Sequence, residues 1–261
     1  MKIEDLVAIL VVGTWAAMLA LEAVAPRRPY PRVRAWRISG AFFLLLYLAV
    51  GAAAPLLVPA SLLEWRLLDL TGLGVAGGMI VGFAGLTFAS YWYHRACHRV
   101  DGMWRWLHQV HHSAPRLDLG GAMVFHPLEM AAFTLIQVAV LVMVLGIDPR
   151  AAALVGYASA FYGMFQHLNV RTPRWIGFFI QRPESHGLHH EAGVHARNYS
   201  DLPLWDLLFG TFSNPARFDG EVGFGGDAHR RVGAMLFGRD VSHGTGTAAQ
   251  RPRPTPTLDP A

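Results

Sequence analysis

The sequence predicts an all-α protein: a polytopic membrane bundle of four to five apolar helices with a cytosolic, histidine-rich, metal-binding cap. Three observations carry this expectation. Of 261 residues, 53% are hydrophobic and only 15% charged, where a soluble domain carries about a quarter. The apolar residues gather into stretches of ~20, the length that spans about 30 Å of hydrocarbon. Eight of the 13 histidines cluster in three closely spaced boxes between those stretches or at their ends.

The first stretch, 6–25, ends at Pro26. Glu4 and Asp5 stand where a secretory signal would be basic, so it reads as a retained anchor. Glu22 falls near its end, within reach of the headgroups. The second stretch, 38–58, is broken near its end by Pro55; the third covers 73–92. The fourth opens with Pro127 at its first turn and runs to 145. The fifth, 151–165, is shorter, and is either tilted or covered by its neighbours. Gly146-Ile147-Asp148-Pro149 makes a tight turn, so helices four and five form an antiparallel hairpin. Gly74, Gly78 and Gly82 repeat a small-xxx-small spacing that permits close helix approach, to another helix of this chain or to a second copy in an oligomer.

Arginine placement sets the orientation. Arg27, Arg28, Arg32, Arg34 and Arg37 crowd the loop between helices one and two. With that loop cytoplasmic, the outer segments hold only Lys2, Arg66 and Arg150, and 19 of the 22 basic residues lie inside. The expected location is therefore an integral membrane protein of the bacterial inner membrane, its histidines and C-terminus cytoplasmic. Residues 1–240 read as one membrane-embedded domain. The Pro/Thr/Arg-rich tail, 241–261, lacks apolar residues to bury and is expected to be disordered.

Composition also excludes. The single cysteine, Cys97, rules out a disulfide framework and any CxxC metal motif. The net charge of +4 follows from cytoplasmic loops rather than from a nucleic-acid surface. Gly223-Phe224-Gly225-Gly226 lacks a following Lys-Ser/Thr, and Ser185 has no nucleophile elbow around it. His190-Glu191-Ala192-Gly193-Val194-His195 is one residue longer than the zinc-protease HExxH, so its two histidines do not share a helical face.

The histidines carry the chemistry. His94 and His98 form HxxxH; His108, His111 and His112 form HxxHH; His186, His189 and His190 form a second HxxHH; His167 stands alone. Residues three and four apart share a helix face, so each box is expected to aim its imidazoles at one point. All nine leave the same side of the membrane, although they span 97 positions. Imidazole suits Zn, Cu, Fe and Ni, and nine ligands are too many for one ion and about right for two. O2 activation by two iron ions fits them, and zinc would satisfy the same ligands in isolated protein. His126 either caps helix four or joins the metals. His195 is a ligand, a neighbour of one, or a substrate contact. Glu184 and Glu191 either hydrogen-bond ligand imidazoles or are solvated. His229 and His243 are expected to face solvent. A metal transporter is the main non-enzyme alternative, but it needs ligands near the bilayer midplane, where no histidine lies.

With these boxes the chain resembles the fatty acid hydroxylase / sterol desaturase superfamily of membrane-bound, histidine-rich di-iron oxygenases. The likeness runs through His94-Arg-Ala-Cys-His98, His108-Gln-Val-His111-His112-Ser113, Phe125-His126-Pro127-Leu128-Glu129 and Gln166-His167-Leu168-Asn169. It continues in His186-Gly-Leu-His189-His190, Asn198-Tyr199-Ser200 and Trp205-Asp206-Leu207-Leu208-Phe209-Gly210-Thr211, covering about 90–212. The resemblance implies hydroxylation of an unactivated C–H bond of a membrane lipid, fatty acyl or sterol-like, or desaturation by the same kind of site. It implies two Fe ions, O2 and an external electron donor of ferredoxin, rubredoxin or cytochrome type. The ligands it implies are His94, His98, His108, His111, His112, His167, His186, His189 and His190. Arg171 stands where some lipid-hydroxylating members have a further histidine. Either His126 or His195 replaces that tenth ligand, or one metal keeps an open position.

Overall fold

The computed structural model describes residues 3–242; His243 and nearly all of the expected tail lie outside them. Among the described residues the protein is helical, with one isolated antiparallel bridge between Glu191 and Val222. Four stretches are long and apolar enough to cross a membrane: Asp5–Val24, Trp36–Leu57, Thr71–Cys97 and Pro127–Val144. The helices that build the bundle are α1 (Ile3–Val24), α2 (Trp36–Ala53), α3 (Gly74–Cys97), α4 (Pro127–Gln137) and α5 (Pro149–Phe165).

Local chemistry explains the helix ends. Pro55 tightens the end of α2 into a 3-10 turn, Ala54–Leu57. The α3 helix runs five residues past the expected Trp92, which puts His94 on the helix and makes His98 its C-cap. α4 widens into a π-helical continuation, Val138–Val144. Asp148 starts α5 by accepting a hydrogen bond from the Arg150 amide at 2.7 Å, with Pro149 in the first turn.

At one end of the bundle the 59–72 loop pairs with the α4–α5 turn, through Leu67 N to Met143 O at 2.8 Å and Leu68 N to Val144 O at 3.0 Å. Gly146 has φ +54° there, and a Cβ on it would collide with the Leu68 carbonyl. At the other end the arginine-rich loop joins the histidine cap. Arg27 N donates to Asn169 O at 2.7 Å and Trp36 Nε1 to Asp118 Oδ1 at 2.6 Å. Glu22 does not reach for headgroups as expected. It is 8% exposed and accepts from the amides of Leu119 (2.9 Å) and Asn169 (2.7 Å), because cap loops fold back over the end of α1 and present unpaired N–H groups.

Gly78 and Gly82 lie where α3 meets α5. A Cβ on Gly78 would stand 2.8 Å from Ala151 Cβ; one on Gly82 would stand 2.8 Å from Ile147 Cδ1 and 3.2 Å from Val155 Cγ2. This face is therefore taken up inside the chain. A Cβ on Gly74, at φ +62°, would meet nothing within 4 Å. Gly78→Ala should lower the melting temperature in detergent, at a cost of about 1–3 kcal/mol, because a β-carbon cannot rotate away. Gly82→Ala should cost less, since its neighbours are the ends of flexible side chains. Equal melting of the two variants would contradict this contact.

Candidate metal centre

All nine box histidines meet at the cap, and they form two groups. One comprises His94, His98, His108, His112 and His189; the other comprises His111, His167, His186 and His190. Within each, one side-chain nitrogen per residue lies within 4.8 Å of the others. The expectation that each HxxHH box aims at a single point is corrected here. His108 and His112 join the first group while His111 joins the second; His186 and His190 join the second while His189 joins the first. Helical geometry is the cause: residues four apart differ by about 40° around the axis, adjacent ones by about 100°. The i, i+4 pair therefore shares a site and the histidine between them turns to the other. A π-helical turn, Trp104–His108, leads into the second box, a feature that often marks functional sites.

Five rings are fixed through Nδ1. His94 donates to Tyr199 O at 2.8 Å, His111 to Val124 O at 3.3 Å, His167 to Gly163 O at 2.6 Å and His189 to Arg197 O at 2.7 Å. A carbonyl carries no proton, so in these four rings Nδ1 holds the hydrogen and Nε2 keeps a bare lone pair. His108 Nδ1 meets Glu129 Oε1 at 2.6 Å, both side chains being fully buried.

The loop that carries two of those carbonyls is itself clamped. Arg197 and Asn198 adopt left-handed backbone, φ 67° and 51°. Asn198 Nδ2 donates to Ser185 O and Ser213 O, both at 2.9 Å, and its Oδ1 accepts from Ser213 N at 2.8 Å. Buried Asp206 accepts from Tyr199 N (2.8 Å), Ser200 N (3.0 Å) and Thr211 Oγ1 (2.7 Å). The Asn-Tyr-Ser and Trp-Asp segments thus position His94 and His189.

These residues fit a metal. His94 Nε2 and His108 Nε2 are 2.9 Å apart, His111 Nε2 and His167 Nε2 3.0 Å, and His186 and His190 Nε2 3.0 Å. In the His111–His167 pair both hydrogens are already on Nδ1, so lone pair faces lone pair. That repulsion is relieved by a cation: ligands at right angles with nitrogen bonds of about 2.1 Å lie about 3.0 Å apart. His98 Nε2 and His189 Nε2 are buried with no partner at all. Glu129 Oε2 is also buried and unpartnered, and a cation in front of the His108 ring would favour its carboxylate form. Burial, then neighbouring imidazoles, hold His98, His111, His112, His186, His189 and His190 well below the usual histidine range. Burial pushes His108 down to about 3 and His167 to about 4. The rings are neutral, as metal ligation requires.

The other candidates fall outside both groups. His126 caps α4: its Nδ1 accepts from Leu128 N at 3.0 Å and its Nε2 donates to Leu236 O at 3.4 Å, which uses both nitrogens. His195 stands behind His112, Nδ1 to Nδ1 at 3.1 Å. Neither therefore supplies a tenth ligand to the four-histidine group. Glu184 contacts no imidazole, because Arg182 (2.9 Å from Nε) and Thr172 Oγ1 (2.7 Å) engage it. Glu191 turns away too: its backbone pairs with Val222 and its carboxylate packs beside Gly220. The residue that sequence reading passed over is Glu129, although an acid in the first turn of an apolar span was a signal in itself.

A cavity opens from the histidines into the bundle, bounded at one end by His94, His108, His111, His167 and His186.

Residues 79–211 match the family model described as fatty acid hydroxylase. Among curated proteins the chain is 31% identical over 147 residues to an ornithine lipid hydroxylase of Rhizobium tropici, covering 53% of this chain and 43% of that one. It is 29% identical over 134 residues to an alkylglycerol monooxygenase of Homo sapiens, covering 50% of this chain and 29% of that one. It is 26% identical over 126 residues to a very-long-chain aldehyde decarbonylase of Oryza sativa, covering 47% and 49%. The matched segment spans less than half the length of these relatives. No solved structure matches.

Two outcomes follow from the geometry. Glu129→Gln keeps the shape but removes the charge behind His108, and should weaken metal binding about 10–100-fold in a chelator competition read by elemental analysis. Unchanged affinity would sink the role given to Glu129. The metal-free protein should lose thermal stability as pH falls from 6.5 toward 4. The sign follows because the unfolded chain takes up protons near 6.5 while the folded rings do not until about 3 to 4. Melting curves flat across that window would contradict neutral, buried imidazoles.

Proposed function

This chain belongs to the fatty acid hydroxylase family, and from that membership we propose that it is an O2-dependent oxidoreductase hydroxylating an unactivated C–H bond of a membrane lipid. The observation that supports this reading best is the split of nine histidines, seven of them buried, into groups of five and four. His94, His98, His108, His112 and His189 would hold one iron ion, and His111, His167, His186 and His190 the other. An all-imidazole set would also accept zinc in isolated protein. When bound, the ion pair supplies the O2 activation and the capacity to attack an unactivated C–H bond.

The chain's own residues do the rest. Tyr199 O, Arg197 O, Gly163 O and Val124 O hold ring orientation, so that lone pairs point inward without reorganisation. The cavity between α2, α3, α4 and α5 receives the lipid segment and keeps bulk water from the reacting carbon. Two relatives bear the names of lipid-oxidising enzymes, ornithine lipid hydroxylase and alkylglycerol monooxygenase, which supports a lipid as substrate. Electrons would arrive from a separate ferredoxin-, rubredoxin- or cytochrome-type protein at the cytoplasmic face. The inner membrane of a bacterium is the setting that the arginine asymmetry favours.

The decisive experiment compares lipids of cells with and without the protein under 18O2. One labelled oxygen in a single lipid class is the expected result; a new double bond without label would assign desaturation instead. Altered ion flux with no lipid change would overturn the enzyme reading. His111→Ala and His189→Ala should each abolish the product and deplete metal, since each removes a ligand from a different group. Full retention of metal in both variants would defeat the proposed ligand set.

A further inference from the structure

Polar side chains inside a membrane bundle are costly unless they find a partner. Several in this bundle do, while Trp15 Nε1 is buried without one. Thr87 Oγ1 donates to Phe83 O at 2.8 Å, Thr134 Oγ1 to Met130 O at 3.2 Å, and Thr14 Oγ1 meets Tyr157 OH at 2.9 Å. Four others behave differently. The side chains of Tyr47, Ser90, Gln137 and Ser159 form no hydrogen bond among the described residues, and all four line the cavity that the histidines bound. They come from α2, α3, α4 and α5 respectively, so no single helix accounts for them. Each is half-buried in a protein-lined space.

Their register gives depth. Ser90 precedes His94 by one helical turn on the same face of α3. Ser159 precedes His167 by eight residues, and Gln137 follows Glu129 by eight, which at 1.5 Å per residue puts both about 12 Å from the histidine level. At the histidine level itself Gln166 Nε2 donates to Asp201 Oδ1 at 3.2 Å on the same cavity wall. Hydrogen-bonding groups therefore extend from the histidines deep into the span, on facing helices. A cavity built for saturated hydrocarbon alone would gain from Leu or Ala at these places.

We propose that the cavity recognises its lipid through a hydrogen-bonding function on the chain, a hydroxyl, ether, ester or amide, held by Gln137, Ser159, Ser90 and Tyr47 within about two helical turns of the carbon presented to the histidines. This inference rests on the oxygenase reading for the reacting carbon but not for the binding step. It makes the substrate a lipid that bears an oxygen or nitrogen within about 12 Å of the site of attack. The glutamine amide and the hydroxyls can each donate and accept, so the pocket matches an oxygen- or nitrogen-bearing group without requiring charge.

Binding tests it directly. Metal-free protein in nanodiscs would be offered hexadecan-1-ol and hexadecane, with retention read by native mass spectrometry. Gln137→Leu/Ser159→Ala conserves volume and leaves the histidines untouched. The alcohol-to-alkane ratio in wild type should exceed that of the variant about tenfold, the worth of roughly one hydrogen bond. Melting temperature and metal content should be equal or higher in the variant. Equal ratios overturn the proposal, as does a variant that fails to load metal, which would make the pair structural. In the 18O2 experiment, the label should sit within about 12 Å, along an extended chain, of an existing oxygen or nitrogen. Label farther than that from any oxygen or nitrogen overturns this inference and leaves the oxygenase standing. Absence of label from every lipid overturns the oxygenase, while the probe ratio still reports on the cavity.

Discussion

The structure depends on bringing nine imidazoles together so closely that in the His111–His167 pair lone pair faces lone pair with no proton between them. Such an arrangement is unfavourable by itself, and the chain holds it by fixing five of the rings through Nδ1. The anchors are distributed: α4 supplies Glu129 to His108, α5 supplies Gly163 O to His167, and two loops supply Val124 O, Arg197 O and Tyr199 O. Since the anchors are spread over two helices and two loops, the rings converge only if the whole bundle is assembled. Folding and site formation are one event, and positive charge at the centre would turn the main source of strain into a source of stability.

Buried charge away from the histidines follows the same logic. Arg182 is completely buried just before the third box, where it meets Glu184, Thr172, Asn214 Oδ1 and Pro215 O. This ties the start of the Pro183–His189 helix to the loop before it, at Thr172, and to a later one, at Asn214 and Pro215. Glu22 does the equivalent from the membrane side, joining α1 to the loop after the second box and to the residues just after His167. A buried ion pair adds little net stability, but losing one partner is expensive. These contacts specify where the boxes sit more than how strongly the protein folds.

Much of this was readable in the chain. Apolar length and composition located the spans, and box spacing located the nine histidines that converge. The split of each HxxHH box was also latent in the sequence, since neighbours on a helix diverge by about 100°. Box spacing alone shows that rings share a face, and does not say how many centres that face serves. Glu129 was masked by His126 three residues earlier, the more familiar ligand type, which the structure uses up as a helix cap. Glu184 was drawn off by Arg182, only two residues away, and Glu22 by loops distant in sequence. The clamp built by Asn198 and Asp206 depends on left-handed backbone and long-range turns, for which periodicity carries no signal.

The unequal division, five against four, bears on how the two sites differ. Arg171 stands where a further histidine would follow His167, and His167 belongs to the four-membered group. His195 lies against the five-membered group, and His126 spends both nitrogens elsewhere, so nothing replaces the missing ring. Three of the four histidines in the smaller group, His111, His167 and His186, line the cavity, against two of the five in the larger. In the reading proposed above, the ion with fewer protein ligands is thus the one that looks more fully onto the lipid. In the smaller group His111 and His167 are backed by carbonyls, while the larger group has Glu129 behind His108. In that reading the carboxylate that touches a ligand ring stands on the better-ligated side, and the ion with fewer protein ligands would face the cavity.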